Sequence, residues 1–162
     1  MSKIYHGSLE EVRTPEIRLP NRSLDYGVGF YATTSYEQAE KWVKRKMSDS
    51  KVSVGYVSVY EMDDDALERF DTLLFDNPTE EWVNFVMKNR TERDFTHDYD
   101  IVYGPVADDS VYTQFTLYEG GIISMATLIQ ELKTYKLVDQ YLFHTERSLE
   151  AIRFVKSIRI EL

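Results

Sequence analysis

Two short runs hold the residues best suited to chemistry: Ile4-Tyr5-His6-Gly7-Ser8, and Gly27-Val28-Gly29-Phe30-Tyr31-Ala32-Thr33-Thr34. A histidine and a glycine end the first, and a Gly-x-Gly leads into an aromatic pair in the second. Small residues beside ring-bearing ones suggest a slot where backbone can approach a planar ligand closely. The polar loop between them carries Pro15 and Pro20 and shows no periodicity. Elsewhere the candidates thin out. His97 and His144 have no partners at metal spacing and read as solvated. Asp63-Asp64-Asp65 reads as capping at a helix start, since no histidine or further carboxylate follows at ligand spacing. Gly27-Val28-Gly29 precedes a strand instead of following one, unlike a phosphate-binding loop. No serine or cysteine nucleophile arrangement is present.

Composition narrows the classes further. At 162 residues the expectation is one domain over 1–162 with a core of its own. The net charge of −9 opposes non-specific binding to phosphate backbones, with Lys41, Lys44, Arg45 and Lys46 the one basic cluster. With no cysteine there is neither a disulfide framework nor thiolate chemistry. No apolar run reaches membrane-spanning length and Met1-Ser2-Lys3 leads straight into strand-like sequence, so the expected location is cytoplasmic, with no membrane partner. The 12 tyrosines divide between half-exposed strand positions and a wet cleft or partner surface.

The elements that must position the two runs alternate irregularly. Strands are expected over 3–7, within 26–33, and over 52–60, 70–75, 98–106, 138–144 and 155–160. A helix capped by Thr34 or Ser35 runs to Met47, where Ser48-Asp49-Ser50 breaks it, with Ala39, Trp42, Val43 and Met47 facing inward. Further helices are expected after Thr79, over 111–118, after Ser124, and over 146–154. No dinucleotide-binding strand–helix–strand unit or repeat is visible, and the fold class is α+β.

The ordered motifs carry a resemblance. His6-Gly7 followed by Gly29-Phe30-Tyr31-Ala32-Thr33 resembles the first two motifs of the His-Tyr-Glu ADP-ribosyltransferases, the class of diphtheria toxin and the poly-ADP-ribose polymerases. The wider pattern Tyr5-His6-Gly7-Ser8, Leu24-Asp25-Tyr26-Gly27-x-Gly29-Phe30-Tyr31 and Asp139-Gln140-Tyr141-x-Phe143-x-Thr145 is similar to a bacterial domain family of unknown function grouped with that fold. The resemblance spans about residues 3–158. It implies two small packed antiparallel sheets, flanking helices and a central NAD cleft.

It also implies mono-ADP-ribosyl transfer from NAD, which breaks the glycosidic bond to nicotinamide through an oxocarbenium-like transition state. The implied catalytic residues are His6, Tyr31 and Gln140. His6 would bond the adenine-side ribose, Gly7 would hold the nicotinamide carboxamide through its main chain, and Tyr31 would pack on the ring. Gly29, Phe30 and Trp42 complete the binding set, with Trp42 as a second stacking face. Ala39 stands where many relatives have a carboxamide-binding serine, so part of that grip is missing or is supplied by Ser8 or Thr33. The third motif is usually a glutamate. Here it falls on Gln140, with Gln114 and Glu119 as alternatives, and an amide cannot serve as a base near neutral pH. The implied partners are NAD, an acceptor macromolecule and a small antitoxin protein, in a toxin–antitoxin or phage-defence pair. A non-catalytic NAD-binding or protein-interaction module on the same fold is the alternative. Transfer to a 2′-phosphate on RNA is disfavoured by the acidic balance.

Overall fold

A computed structural model describes residues 2–18, 25–92, 95–107, 109–135 and 137–161, so Pro20 and Leu24 lie outside the described residues. Two small sheets are stacked with helices on their outer faces. The first orders β1 (Ser2–Ser8), β3 (Val54–Met62) and β7 (Ile152–Glu161), all antiparallel. The second orders β2 (Phe30–Ala32), β6 (Asp139–Phe143), β5 (Ile101–Pro105) and β4 (Thr72–Leu74). This α+β arrangement matches the sequence reading with one correction. The second sheet is mixed, because β4 runs parallel to β5.

Helix α1 (Tyr36–Ser50) starts where the Ser35 side chain accepts from the Gln38 amide. Its stripe of Ala39, Val43 and Met47 packs on the outer face of the first sheet against Val57 and Ile160. Ser48-Asp49-Ser50 does not break it. The helix ends only where Lys51 turns left-handed (φ +56°) and sends its N–H back to the last turn. Between the sheets lie Ile4, Phe30, Ala32, Tyr60, Ile101, Tyr141 and Phe143. The far face of the second sheet, with Val102 and Leu142, is covered by α3 (Glu80–Thr91), α4 (Asp109–Glu119) and α5 (Met125–Leu132) through Trp82, Val86, Val111, Phe115 and Leu128. Thr79 and Ser124 cap α3 and α5 as expected.

Three other expectations are corrected. The helix expected over 146–154 is a single 3₁₀ turn, Arg147–Ala151, and the closing strand begins at Ile152. The strand expected over 52–60 is displaced to Val54–Met62, with a register shift between Val59 and Tyr60. Ahead of α2 (Ala66–Arg69), Asp65 makes no side-chain capping bond. Asp63 and Asp65 instead pair with Arg69, and Asp63 also with Arg153. Among the described residues no helix is long and apolar enough to cross a membrane.

One polar knot joins the strands of the second sheet. Asp100, 2% exposed, accepts from Thr145 Oγ1 at 2.7 Å, Arg147 Nε at 2.9 Å and the Asp71 amide at 3.1 Å. The Arg147 guanidinium is the main cause holding its carboxyl down at about 2. Asp100→Asn is expected to cost about 2 kcal/mol at neutral pH. Because the folded pKa is depressed, that contribution is present above the unfolded value of 3.8 and disappears as pH falls towards about 2. Urea denaturation of both proteins across this range checks it. Stability curves that stay parallel would refute it.

Candidate functional site

Beside their shared core, the two sheets are joined by main-chain hydrogen bonds along a seam. Tyr5 and Thr33 exchange both main-chain hydrogen bonds, at 2.8 and 2.9 Å, as an isolated antiparallel bridge between β1 and the end of β2. Continued by two residues, that register would set Gly7 opposite Tyr31. The bridge does not continue. The Tyr31 carbonyl accepts instead from His6 Nδ1 at 2.6 Å. Gly7 lies two residues beyond Tyr5 on the same strand, so its N–H and C=O face the same seam. Its missing side chain has a separate cause. A Cβ there would stand 2.6 Å from the Ala39 carbonyl oxygen and 2.7 Å from Val43 Cγ2, so glycine is what lets α1 lie on β1.

The turn before β2 is held by side chains from distant elements. His97 Nε2 donates to the Tyr26 carbonyl at 2.8 Å, the Tyr31 hydroxyl to that of Gly27 at 2.6 Å, and His144 Nδ1 to that of Val28 at 2.6 Å. The Tyr31 hydroxyl also accepts from the Tyr26 amide at 3.0 Å. His97 and His144 are therefore half-buried and in contact, with ring centroids 4.2 Å apart, rather than solvated. Gly27 has φ +90° and Gly29 φ +156°, and a Cβ on Gly29 would meet Leu142 Cδ1 at 2.4 Å. This Gly-x-Gly serves a tight turn lying close on β6.

Tyr31, Leu142 and Gln140 share the helix-facing side of the second sheet, since Tyr31 pairs with Leu142 and Gln140 stands two residues away. Gln140 Nε2 lies 3.4 Å from Asp25 Oδ2 and 3.5 Å from the Pro105 carbonyl oxygen. Asp25 is buried, and its Oδ1 accepts from Arg90 Nη1 at 2.9 Å and Tyr112 Oη at 2.6 Å. The Arg90 guanidinium stacks 3.9 Å over the Tyr112 ring. A cleft of about 180 Å³ opens beside that pair, lined also by Met87, Phe115 and Glu119. The structure thus brings His6, Gly7 and Tyr31 to the seam, while Gln140 stands one strand away on β6 with its amide towards Asp25 and Pro105. They do not share one face: the His6 ring lies between the sheets, stacked on Phe30 at 4.3 Å, while Tyr31 and Gln140 face the helices.

The remaining expected residues have other duties. Phe30 is 5% exposed and belongs to the core. The Thr33 hydroxyl donates to Asp139 Oδ1 at 3.1 Å and accepts from the Ser35 amide. Ser8 Oγ accepts from the Glu10 amide. Trp42 lies off the buried stripe of α1, with Lys46 Nζ 5.2 Å over its ring. Gln114 donates to the Tyr135 hydroxyl, and Glu119 is exposed at the end of α4. Sequence reasoning missed Asp25, although it stands in the Leu24-Asp25-Tyr26 pattern, and missed Asp139. The Asp139 carboxylate also accepts from the Thr34 amide and hydroxyl and from Tyr103, clamping the end of β2.

The tautomer of His6 follows from these contacts. A carbonyl only accepts, so Nδ1 carries the proton. Burial is the main cause pulling the imidazole down to about 4, opposed by the Tyr31 bond and reinforced by Lys46 and Arg18. At neutral pH the ring is therefore neutral and Nε2 is an acceptor, suited to a hydroxyl donor. Burial also raises the Tyr31 phenol well above its ordinary range, so it stays protonated. A ¹⁵N titration should show Nδ1–H with bare Nε2 at neutral pH and a midpoint of about 4. Because the folded pKa is depressed, protonation of the unfolded chain costs stability as pH falls from 6.5 to about 4. That part of the loss should be missing in His6→Gln. A midpoint near the free-histidine value would overturn the assignment.

No curated protein and no solved structure matches the chain. A family model described as "Protein of unknown function (DUF3990)" matches residues 2–154, from β1 to the start of β7. The chain belongs to that family.

Proposed function

We propose that the protein is an NAD-dependent mono-ADP-ribosyltransferase on an ADP-ribosyltransferase-like fold. The observation that carries this reading is the interrupted seam. His6 takes the Tyr31 carbonyl, and the Gly7 main chain faces the place where β1 and β2 stop pairing. A carboxamide needs one donor and one acceptor in line, which a strand edge offers through its N–H and C=O. The neutral His6 ring presents Nε2 to a ribose hydroxyl. Tyr31, fixed at its hydroxyl by Gly27 and Tyr26, offers a rigid ring beside that edge. Nicotinamide leaves as a neutral ring from a charged one, so no general acid is required, and the work is to position the ribose and stabilise its developing positive charge. Gln140, on the helix-facing side of the second sheet with Tyr31, offers an acceptor and no base, which points to transfer of a single unit rather than chain growth.

The acceptor is a macromolecule, and the family resemblance supports a cytoplasmic, toxin-like effector silenced by a small antitoxin protein. One observation favours the second reading, a non-catalytic NAD-binding module: the Tyr31 hydroxyl and the Gln140 amide are both already engaged within the protein. Labelled NAD with a cell lysate separates the two. Nicotinamide release and label transfer are expected for the wild type, falling about 100-fold in His6→Ala and in Tyr31→Ala. NAD binding by calorimetry without any release would establish the module. Equal release by all three proteins would remove the seam from the mechanism.

A further inference from the structure

We infer that Asp25 is a positioning residue for Gln140, its carboxylate fixing which end of the Gln140 amide is turned towards the substrate. This deepens the NAD reading above and rests on it. The geometry is specific. Asp25 Oδ1 is occupied by Arg90 Nη1 at 2.9 Å and Tyr112 Oη at 2.6 Å, which leaves Oδ2 facing Gln140 at 3.4 Å. The Pro105 carbonyl oxygen lies 3.5 Å from the same amide nitrogen. A carboxylate and a peptide carbonyl are both pure acceptors, so Gln140 must turn its NH₂ to them and its Oε1 away.

Two consequences follow. A glutamate at position 140 would put a second carboxylate against Oδ2, and two such groups in contact cannot both ionise. Acid at 25 and amide at 140 are thus a matched set, which explains a glutamine where the resemblance leads one to expect glutamate. An oxygen turned to the ribose also stabilises the electron-poor transition state, whereas an NH₂ group would oppose it. The orientation therefore matters more in the transition state than in the bound ground state.

Asp25→Asn tests this. Arg90 and Tyr112 still demand an oxygen at the Oδ1 position, so the new NH₂ group faces that of Gln140 and drives its amide out of the orientation that the Pro105 carbonyl alone still favours. The expected result is a kcat for nicotinamide release lowered about 100-fold, with KM changed by no more than about threefold. Asp25→Asn combined with Gln140→Glu restores an acceptor towards the ribose and should recover kcat to within about tenfold of wild type. Gln140→Glu alone should melt at a lower temperature than either. An unchanged kcat in Asp25→Asn, with His6→Ala inactive, would overturn the inference, as would equal losses in the single and double variants. If the wild type does not act on NAD, the reading of the previous section falls and the Gln140 side-chain amide resonances decide alone. Their displacement by Asp25→Asn supports the pairing, and unmoved resonances end it.

Discussion

Every histidine in the chain donates to a main-chain carbonyl within the same six residues. His97 holds Tyr26, His144 holds Val28 and His6 holds Tyr31, each at 2.6–2.8 Å, while the Tyr31 hydroxyl holds Gly27 between them. The rest of the structure depends on this constraint. The segment 25–31 has almost no regular pairing of its own, and a glycine-rich turn left alone would carry unsatisfied carbonyls into a partly buried place. Each such bond contributes about 1 kcal/mol net, but losing one strands a carbonyl at a cost of about 1–3 kcal/mol. Three rings from three distant parts of the chain therefore fix one short path, and β2 begins from a fixed point.

That fixed point matters because β2 is only three residues long and belongs to both halves of the molecule. It pairs with β6 along its length, and β1 reaches it through the Tyr5–Thr33 bridge just past its end and through His6, which bonds the Tyr31 carbonyl and stacks on Phe30. One side of it faces the core between the sheets, through Phe30 and Ala32, and the other faces the helical core beside Tyr31. Asp139 clamps its far end through Thr33 and Thr34. A strand this short, held at both ends, is fixed in place by its neighbours rather than by its own length.

Local signals were legible in the sequence and long-range ones were not. The Ser35, Thr79 and Ser124 caps and the Ala39–Val43–Met47 stripe are written in neighbouring residues, and the structure places them where the spacing does. The end of α1 was misread because Ser48, Asp49 and Ser50 have modest helix propensity, which tertiary packing and a left-handed Lys51 override. The 3₁₀ turn at Arg147–Ala151 is short because β3 captures the chain from Ile152 onward. The parallel run of β4 cannot be seen in a three-residue strand. His97 and His144 were misread because nothing near them in sequence shows that their partners stand 71 and 116 residues away. Asp25 was overlooked for the same reason: what it touches, Arg90, Tyr112 and Gln140, is gathered only by folding.

The glycines show where a motif stops being informative. Gly7 is required by the close approach of Ala39 and Val43, and Gly29 by its backbone angle and by Leu142, whether or not a ligand ever binds. A His-Gly followed by a Gly-aromatic-Tyr is thus compatible with a purely architectural role at each position taken singly. In the transferase we propose, the ligand would be met by what the architecture leaves over. Packing consumes the side-chain direction of Gly7 and leaves its peptide edge on the seam. The Tyr31 carbonyl consumes His6 Nδ1 and leaves Nε2 as an acceptor. Asp25 and Pro105 consume the nitrogen of Gln140 and leave its oxygen. In all three cases a structural bond determines the polarity of the group that remains, so the fold and the site cannot be altered independently.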